Sequence, residues 1–212
     1  DPAAPETDWG ERIFLVCAGA FTSILALTGL DWLLAFAFTL LTVSIFLVIA
    51  RMSAETGHIF IQPYWAPGVF VIGLLGPKAV GPAAAAIIFM VSTVLLVDTR
   101  ESLVSFLANS LRVLDSRGGR VGMGAALGAV ALLVGLAVAV PATLYLKYDR
   151  GTDMAYGWAS EIVPRFPFEA ALSVREHLEV RGELEEAGSA AGWRRLAWAR
   201  PSGTMLAWAF VG

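Results

Sequence analysis

Ionisable and polar side chains are concentrated where a long apolar run gives way to a proline-rich segment. Arg51 and Glu55 stand four residues apart, so on a continuing helix both side chains face the same side. His58 follows closely, and Gln62 and Trp65 lie a few residues further on. Ionisable groups at membrane depth are costly and mark ion or substrate pathways. The window predicts proton-sensing or substrate-binding groups, with simple capping of a span at the water interface as the alternative.

Motifs of the common enzyme classes are missing from the sequence. It contains no Gly-x-x-x-x-Gly-Lys phosphate loop, no Gly-x-Ser-x-Gly elbow and no His-Glu-x-x-His pair. Of the two histidines only His58 is close to an apolar run, and the one cysteine, Cys17, lies inside such a run. The net charge is −3 without a basic stripe, which argues against nucleic-acid binding. We expect no enzyme, no metal, no cofactor and no nucleic-acid partner.

The composition indicates the elements that must position these groups. Hydrophobic residues make up 57% of the 212 residues and charged residues only 16%. Three long blocks are almost free of charge, at 13–50, 57–97 and 121–146. About 18 consecutive apolar residues are typical of a membrane span. The sequence therefore predicts an all-α integral membrane protein, a polytopic helical bundle with one proline-broken or re-entrant segment and an interfacial amphipathic helix.

Changes in composition divide the chain into six segments. The expected order is a polar N-terminal segment (1–11), a transmembrane hairpin with a broken segment and a further span (12–97), an amphipathic helix (98–120), a span (121–148), a polar extramembrane loop (149–202) and the start of another span (203–212). The last run is about half as long as the roughly 20 residues a crossing requires. We therefore expect the chain to be a segment of a longer protein.

The first two spans are predicted to form a tight antiparallel hairpin. They run from about Arg12 to Thr28 and from about Trp32 to Ala50, separated by Gly29-Leu30-Asp31. Asp31 is expected to be a solvated turn residue. The alternative is one bent helix of nearly 40 residues.

Segment 57–77 is apolar but carries three prolines and four glycines. An interior proline removes a helical hydrogen bond and clashes with the preceding turn. Irregular backbone at membrane depth occurs only where protein or a water-filled cavity surrounds it. The segment is therefore either a broken span or a re-entrant loop. A fourth span is predicted from about Ala79 to Val97, with Pro82 in its first turn.

Residues 98–120 have an amphipathic pattern. Leucine and valine residues share one face, the opposite face is mostly polar, and Ser116-Arg117-Gly118-Gly119 ends the helix. The helix lies either in the membrane interface or against a partner domain. In the next span, Gly124 and Gly128 form a Gly-x-x-x-Gly pair and Gly135 lies one heptad further on, which predicts close helix packing.

Aromatic and basic side chains occur at the ends of several apolar runs. Trp and Lys are enriched at the membrane surface, where their polar ends reach the headgroups. The expected interface anchors are Trp9, Trp32, Lys78, Trp193 and Trp198. Orientation depends on whether 57–77 crosses, because a full crossing gathers the short-loop arginines on one side and a re-entrant loop does not.

Several stretches resemble one family of large polytopic membrane proteins of unknown function from bacteria. They are residues 51–57, 60–65, 98–114 and 145–148, with the Pro167-Phe168 loop. The resemblance implies a permease-like architecture, loosely similar to oligopeptide transporters, in the bacterial inner (cytoplasmic) membrane. It implies no particular activity.

The sequence is compatible with two functions. One is a permease or transporter-like protein whose pathway lies near 57–77. The other is a non-catalytic structural or accessory subunit of a larger membrane complex. In both, the expected partners are the lipid bilayer and further transmembrane helices of the same or another chain.

Overall fold

The computed structural model describes residues 5–58, 67–96, 103–151, 161–189, 191–204 and 207, with the side chains of 5–7 and 96 left aside. Within these ranges every regular element is a helix, which confirms the predicted all-α class. The elements are α1 (Pro5–Leu27), α2 (Trp32–Thr56), α3 (Pro67–Leu75), α4 (Pro77–Val80), α5 (Pro82–Leu96), α6 (Leu103–Ser116), α7 (Val121–Arg150), α8 (Val163–Val180) and a 3₁₀ helix (Gly192–Trp198).

Three helices are long and apolar enough to cross a membrane, judged by length and composition. They are Asp8–Leu27, Trp32–Thr56 and Val121–Arg150. The chain divides into two compact units, each with its own packing. The first comprises Asp1–Ile45, Pro63–Val97 and Arg165–Gly212, and the second comprises Phe46–Gln62 and Asp98–Pro164.

A glycine-stopped turn separates α1 from α2, as the sequence predicts. Gly29 has φ 96° and ends α1 in a left-handed conformation. The N–H of Leu30 donates to Leu25 O at 3.3 Å and the N–H of Gly29 donates to Ala26 O at 3.1 Å, the two bonds of a Schellman motif. The hydroxyls of Thr22 and Thr39 lie 3.0 Å apart, so the two helices turn back on each other here. One bent helix is therefore excluded.

The core of the first unit is formed by side chains from six helices and one turn. Leu34 and Phe38 of α2 and Val71 and Ile72 of α3 are fully or almost fully buried. The cluster also includes Ala35 of α2 and Leu30 of the turn. It continues into α1, α4, α5 and α8 through Leu25, Val80, Ala85, Ile88, Phe89, Val174 and Leu178. Burying a side chain of this size stabilises the fold by about 1.5–3 kcal/mol.

The contribution of α8 to this core differs from the expectation for 149–202. That stretch was predicted to be a polar loop with a helix from about Pro167 to Ala187. The helix instead begins at Val163 and ends at Val180, and it buries Ala171, Val174 and Leu178. These positions recur every three or four residues, which places one apolar stripe against the core. The many acidic residues of the stretch concealed this stripe.

The predicted fourth span is shorter than expected. It was predicted to begin near Ala79, but α4 occupies 77–80 and α5 begins only at Pro82. Gly81 lies between them with φ 79° and breaks the helix. As described, α5 has 15 residues, or about 22 Å, which is less than the roughly 30 Å hydrocarbon core.

Segment 57–77 contains a short helix, α3, which packs against α5. A Cβ added at Gly68 of α3 would lie 2.9 Å from Ile88 Cγ2 of α5. The N–H of Gly68 donates to Ser92 Oγ at 3.3 Å. The choice between a broken span and a re-entrant loop stays open, because residues 59–66 lie outside the described part of the chain.

The second unit contains the predicted amphipathic helix, and its leucine face packs on α7. A Cβ added at Gly124 would lie 2.5 Å from Leu114 Cδ2, and one at Gly128 would lie 2.8 Å from Leu107 Cδ1. Leu107 and Leu114 thus pack on α7 of the same chain, and the placement of α6 in the membrane interface stays a prediction. Nothing lies within 4 Å of a Cβ built at Gly135. The stop between α6 and α7 is the predicted one, since Gly118 has φ 70°.

Helix α7 is apolar around its whole circumference. None of its 30 residues is buried, and Pro141 lies inside it. Large side chains such as Leu133, Val134 and Val138 are more than half exposed. A helix that is hydrophobic on all sides is typical of a protein interior or a membrane span.

Candidate binding cavity

Two glycines interrupt the run from α3 to α5 and allow another segment to approach. Gly76 has φ 81° and Gly81 has φ 79°, and each precedes a proline. A Cβ at Gly76 would lie 2.8 Å from Arg200 O, and one at Gly81 would lie 2.9 Å from the Cα of Gly188. A side chain at either position would be strained and would collide with backbone. The glycines therefore permit both the break and the docking of the segment after α8.

The docked segment supplies donors to the carbonyls that the breaks leave free. The last four carbonyls of a helix have no partner inside the helix. The N–H of Arg200 donates to Leu75 O at 3.1 Å and the N–H of Ser202 donates to Gly73 O at 2.9 Å. The N–H of Gly188 donates to Lys78 O at 3.1 Å. The interruption is thus closed by backbone hydrogen bonds.

Arg195 of the 3₁₀ helix continues this pattern with a buried side chain. Its Nη1 donates to Ala79 O at 2.5 Å and to Val80 O at 3.1 Å. Its Nε lies 3.7 Å from Asp31 Oδ2, and both side chains are less than a tenth exposed. Oδ2 of Asp31 also accepts the N–H of Gly192 at 2.9 Å, and Oδ1 accepts the N–H of Leu33 at 3.0 Å.

The expectation that Asp31 is a solvated turn residue was therefore wrong. Its carboxylate caps the start of α2 and at the same time binds a segment that lies 161 residues further along the chain. Arg195 was also missed, because it occurs among tryptophans and arginines that are typical of an interface anchor. The sequence contains no local signal that pairs the two residues.

A cavity of about 480 Å³ lies beside the break at Gly76, entirely within the first unit. Its apolar wall includes Ile72, Val174 and Leu178. Its polar wall carries basic, acidic and hydroxyl side chains. These are Lys78, Ser173, His177, Arg181, Glu183, Arg200 and Ser202. Pockets for small molecules have this size and this mixture of apolar surface with a few polar groups.

Lys78 forms an ion-pair cluster with Glu183 and Glu186. Its Nζ donates to Glu186 Oε2 at 2.7 Å and lies 3.6 Å from Glu183 Oε1. The ammonium also stands 5.2 Å from the centre of the Trp198 ring, within cation–π range. Lys78 was predicted to reach lipid headgroups as an anchor. In the structure its charge is matched by carboxylates of the chain.

The cluster shifts the acidity of its own members. The hydrogen bond that Lys78 donates to Glu186, together with the charge of Glu183, raises the pKa of Lys78. The hydrogen bond from Lys78 lowers the pKa of Glu186. Glu183 Oε1 is also 3.8 Å from Arg200 Nη1, so one carboxylate is shared by two cations.

Three of the residues predicted to form a pathway, Arg51, Glu55 and His58, lie at the surface of the second unit. Arg51 Nε pairs with Glu55 Oε1 at 2.9 Å along α2, with both side chains more than half exposed. His58 is exposed, and its backbone N–H donates to Thr56 Oγ1 at 3.2 Å. Gln62 and Trp65 lie outside the described residues. Within the described part of the chain, the predicted pathway therefore remains untested.

The predicted anchors have diverse surroundings. Trp9 is exposed and carries the Arg12 guanidinium 5.6 Å from its ring centre. Trp32 and Trp193 meet edge to face with 5.3 Å between ring centres. A metal site is a separate question from the anchors. Among the described residues, no group of three or more His, Cys, Asp or Glu side chains is arranged to hold a metal ion.

The Asp31 carboxylate should be essential for the docking of the 3₁₀ helix. We expect Asp31→Ala to lower the free energy of unfolding by about 3–5 kcal/mol, because it leaves the Arg195 charge buried and unpaired. Denaturant unfolding in detergent, followed by circular dichroism, measures this loss. Asp115→Ala removes an exposed carboxylate and should change the free energy by less than about 0.5 kcal/mol. Equal losses in the two variants would contradict the assigned role of Asp31.

Stability should depend on pH through the Lys78–Glu186 pair. Because the folded pKa of Glu186 is lowered, the pair stabilises the fold above the ordinary glutamate pKa of about 4.3, and this contribution is lost as the pH falls further. Glu186→Gln should therefore melt below the wild type at neutral pH, with a difference that closes in acid. Glu185→Gln, at an exposed neighbour, should show no such difference. A Glu186→Gln deficit that is constant down to about pH 3 would refute this assignment.

A family model described as a family of unknown function, DUF6785, matches residues 6–190, so the chain belongs to that family. This confirms the resemblance to a family of unknown function, while the likeness to oligopeptide transporters stays a prediction. No curated protein and no solved structure matches the chain significantly.

Proposed function

We propose that this member of the DUF6785 family is an integral membrane protein of the permease type and that it binds a small solute in the cavity beside the α3–α4 break. The observation that carries the proposal is the cavity itself, which joins a helix interruption to a charged wall. Many transporters bind substrate where discontinuous helices expose backbone and polar groups. The membrane-length helices α1, α2 and α7 support the bilayer as the environment.

The exposed apolar surface of α7 supports the same environment. A single soluble chain with thirty residues of unburied apolar helix would carry a large aggregation-prone surface. Its charge-free stretch, 121–146, is about 39 Å long and exceeds the hydrocarbon core. Arg120 precedes this stretch and Lys147 follows it, so charges flank it at both ends.

Solute uptake into proteoliposomes tests the proposal. The probes are labelled hexanoate, glucose and trialanine, which cover an anion, a neutral solute and a zwitterion. We expect at least one probe to enter faster than in protein-free vesicles. At saturating solute, Glu183→Gln should slow this uptake by about tenfold, the effect of about 1.4 kcal/mol on a rate-limiting release step. Without the carboxylate that Lys78 and Arg200 share, these two cations hold an anionic solute more tightly and release it more slowly.

Two further variants distinguish the cavity from the pathway expected at the end of α2. Glu55→Gln and His58→Ala should leave the uptake rate unchanged if the solute passes through the cavity. A loss in these variants, with normal uptake in Glu183→Gln, would move the pathway to 51–58. Uptake no faster than in protein-free vesicles for all three probes would overturn the permease proposal.

A structural subunit of a larger membrane complex is the second candidate. The observation that favours it is the uncovered face of α7 around Gly135, where a neighbouring helix could approach closely. Under this proposal, stoichiometric partners co-purify in mild detergent, Gly135→Leu releases them and Glu183→Gln does not. Gly124→Leu is a poor probe of partners, because that glycine already packs on α6 of the same chain. Purification without stoichiometric partners would exclude this second candidate.

A further inference from the structure

We propose that the cavity binds an organic oxyanion, a carboxylate or phosphate carried on a small apolar group. This inference rests on the proposed function for its site and adds the chemical class of the ligand. It follows from the positive charge of the polar wall, the incomplete pairing of that charge, and the apolar part of the lining.

The polar wall carries an excess of positive charge. Three permanently charged cations line the cavity, Lys78, Arg181 and Arg200, and Glu183 is the one carboxylate among the described lining residues. Glu186 contacts Lys78 from outside the lining, and even with this second carboxylate one positive charge remains in excess. A cationic ligand would be repelled by this wall, whereas an anion would be attracted.

The Glu183 carboxylate lies near two cations of the polar wall but is hydrogen-bonded to neither. Glu183 Oε1 stands 3.6 Å from Lys78 Nζ and 3.8 Å from Arg200 Nη1, both beyond hydrogen-bond distance. The guanidinium of Arg181 has no ion-pair partner among the described residues. An incoming oxyanion therefore meets a guanidinium that no described carboxylate pairs with, and two cations whose donors Glu183 does not saturate. Arg groups bind carboxylate and phosphate in a two-pronged geometry.

The apolar part of the lining selects for an apolar portion of the ligand. Ile72 and Leu178 are at most 2% exposed, and Val174 is 8% exposed. The half-buried ring of Trp198 and the Pro201 ring extend this surface. The volume of about 480 Å³ accommodates a small organic molecule. An inorganic anion would leave this apolar surface in contact with water, so an organic anion fits the cavity better.

Calorimetric titration of the protein in nanodiscs of neutral phosphatidylcholine tests the ligand class. Hexanoate is the probe, and hexanol and hexylammonium are matched controls with the same apolar chain. We expect hexanoate to bind saturably and hexanol and hexylammonium to bind at least about tenfold more weakly, since they lack the charge-assisted contacts. Hexanol binding as tightly as hexanoate would overturn the inference.

Substitution of Arg181 locates the bound anion without disturbing the fold. Its side chain is exposed and has no partner among the described residues, so Arg181→Gln should fold normally. We expect the variant to weaken hexanoate binding by about tenfold. Arg175→Gln removes a charge from α8, six residues before Arg181 and outside the cavity lining, and should change the affinity by less than about twofold. Equal affinities in the two variants would refute the proposed site.

A second nanodisc composition identifies the natural source of the oxyanion. If anionic phosphatidylglycerol in the disc competes with hexanoate, the cavity takes a lipid headgroup. If hexanoate affinity is unchanged, the ligand is a free solute, and both results uphold the ligand class. Hexanoate binding without uptake of any probe would leave this inference standing while the permease proposal fails. Uptake of glucose without hexanoate binding would do the reverse.

Discussion

Two helix breaks leave backbone carbonyls without a hydrogen-bond donor inside their own helix. The arrangement of the first unit follows from the groups that donate to these carbonyls. Gly76 and Gly81 end α3 and α4, and unpaired carbonyls in a buried setting are costly. The segment 188–202 satisfies them with backbone N–H groups and with the guanidinium of Arg195. Because this segment is drawn onto the break, Trp198 and Arg200 come to face α8. The cavity is a consequence of the closure.

The pairing of Arg195 with Asp31 connects this closure to the first helical turn. A buried ion pair is a weak source of net stability, because desolvation offsets the attraction. Its effect here is positional, since the same carboxylate also caps α2 and accepts the N–H of Gly192. One side chain thus fixes where the 3₁₀ helix docks. The Lys78 cluster then forms at the exposed edge of the same contact, where solvent screens the charges and the pairs remain exchangeable.

The two units differ in the surroundings that suit their surfaces, because one has a charged cavity and the other has exposed apolar helix. In the first unit, acidic and basic side chains line a cavity, and α8 packs its apolar stripe on the core. In the second, α6 covers only the glycine face of α7, and the remaining apolar surface is left without cover in the described chain. The proposed bilayer would suit both surfaces, since it would cover α7 and leave charged groups at a water-accessible site. This combination connects the proposed solute site with the membrane-length helices.

The amino-acid sequence by itself determined the helical class, the long apolar helices, the turn at Gly29 and the stop at Gly118. These features depend only on residues that are neighbours in the sequence. They also indicated Gly124 and Gly128 as small residues suited to helix contacts. The sequence did not indicate the core stripe of α8, hidden among acidic residues, or the roles of Asp31 and Arg195. Lys78 and Glu186 are 108 residues apart, and only the folded chain brings them within hydrogen-bond distance. Periodicity and turn chemistry act over a few residues, whereas the docking of 188–202 on the helix breaks depends on long-range hydrogen bonds that no local pattern encodes.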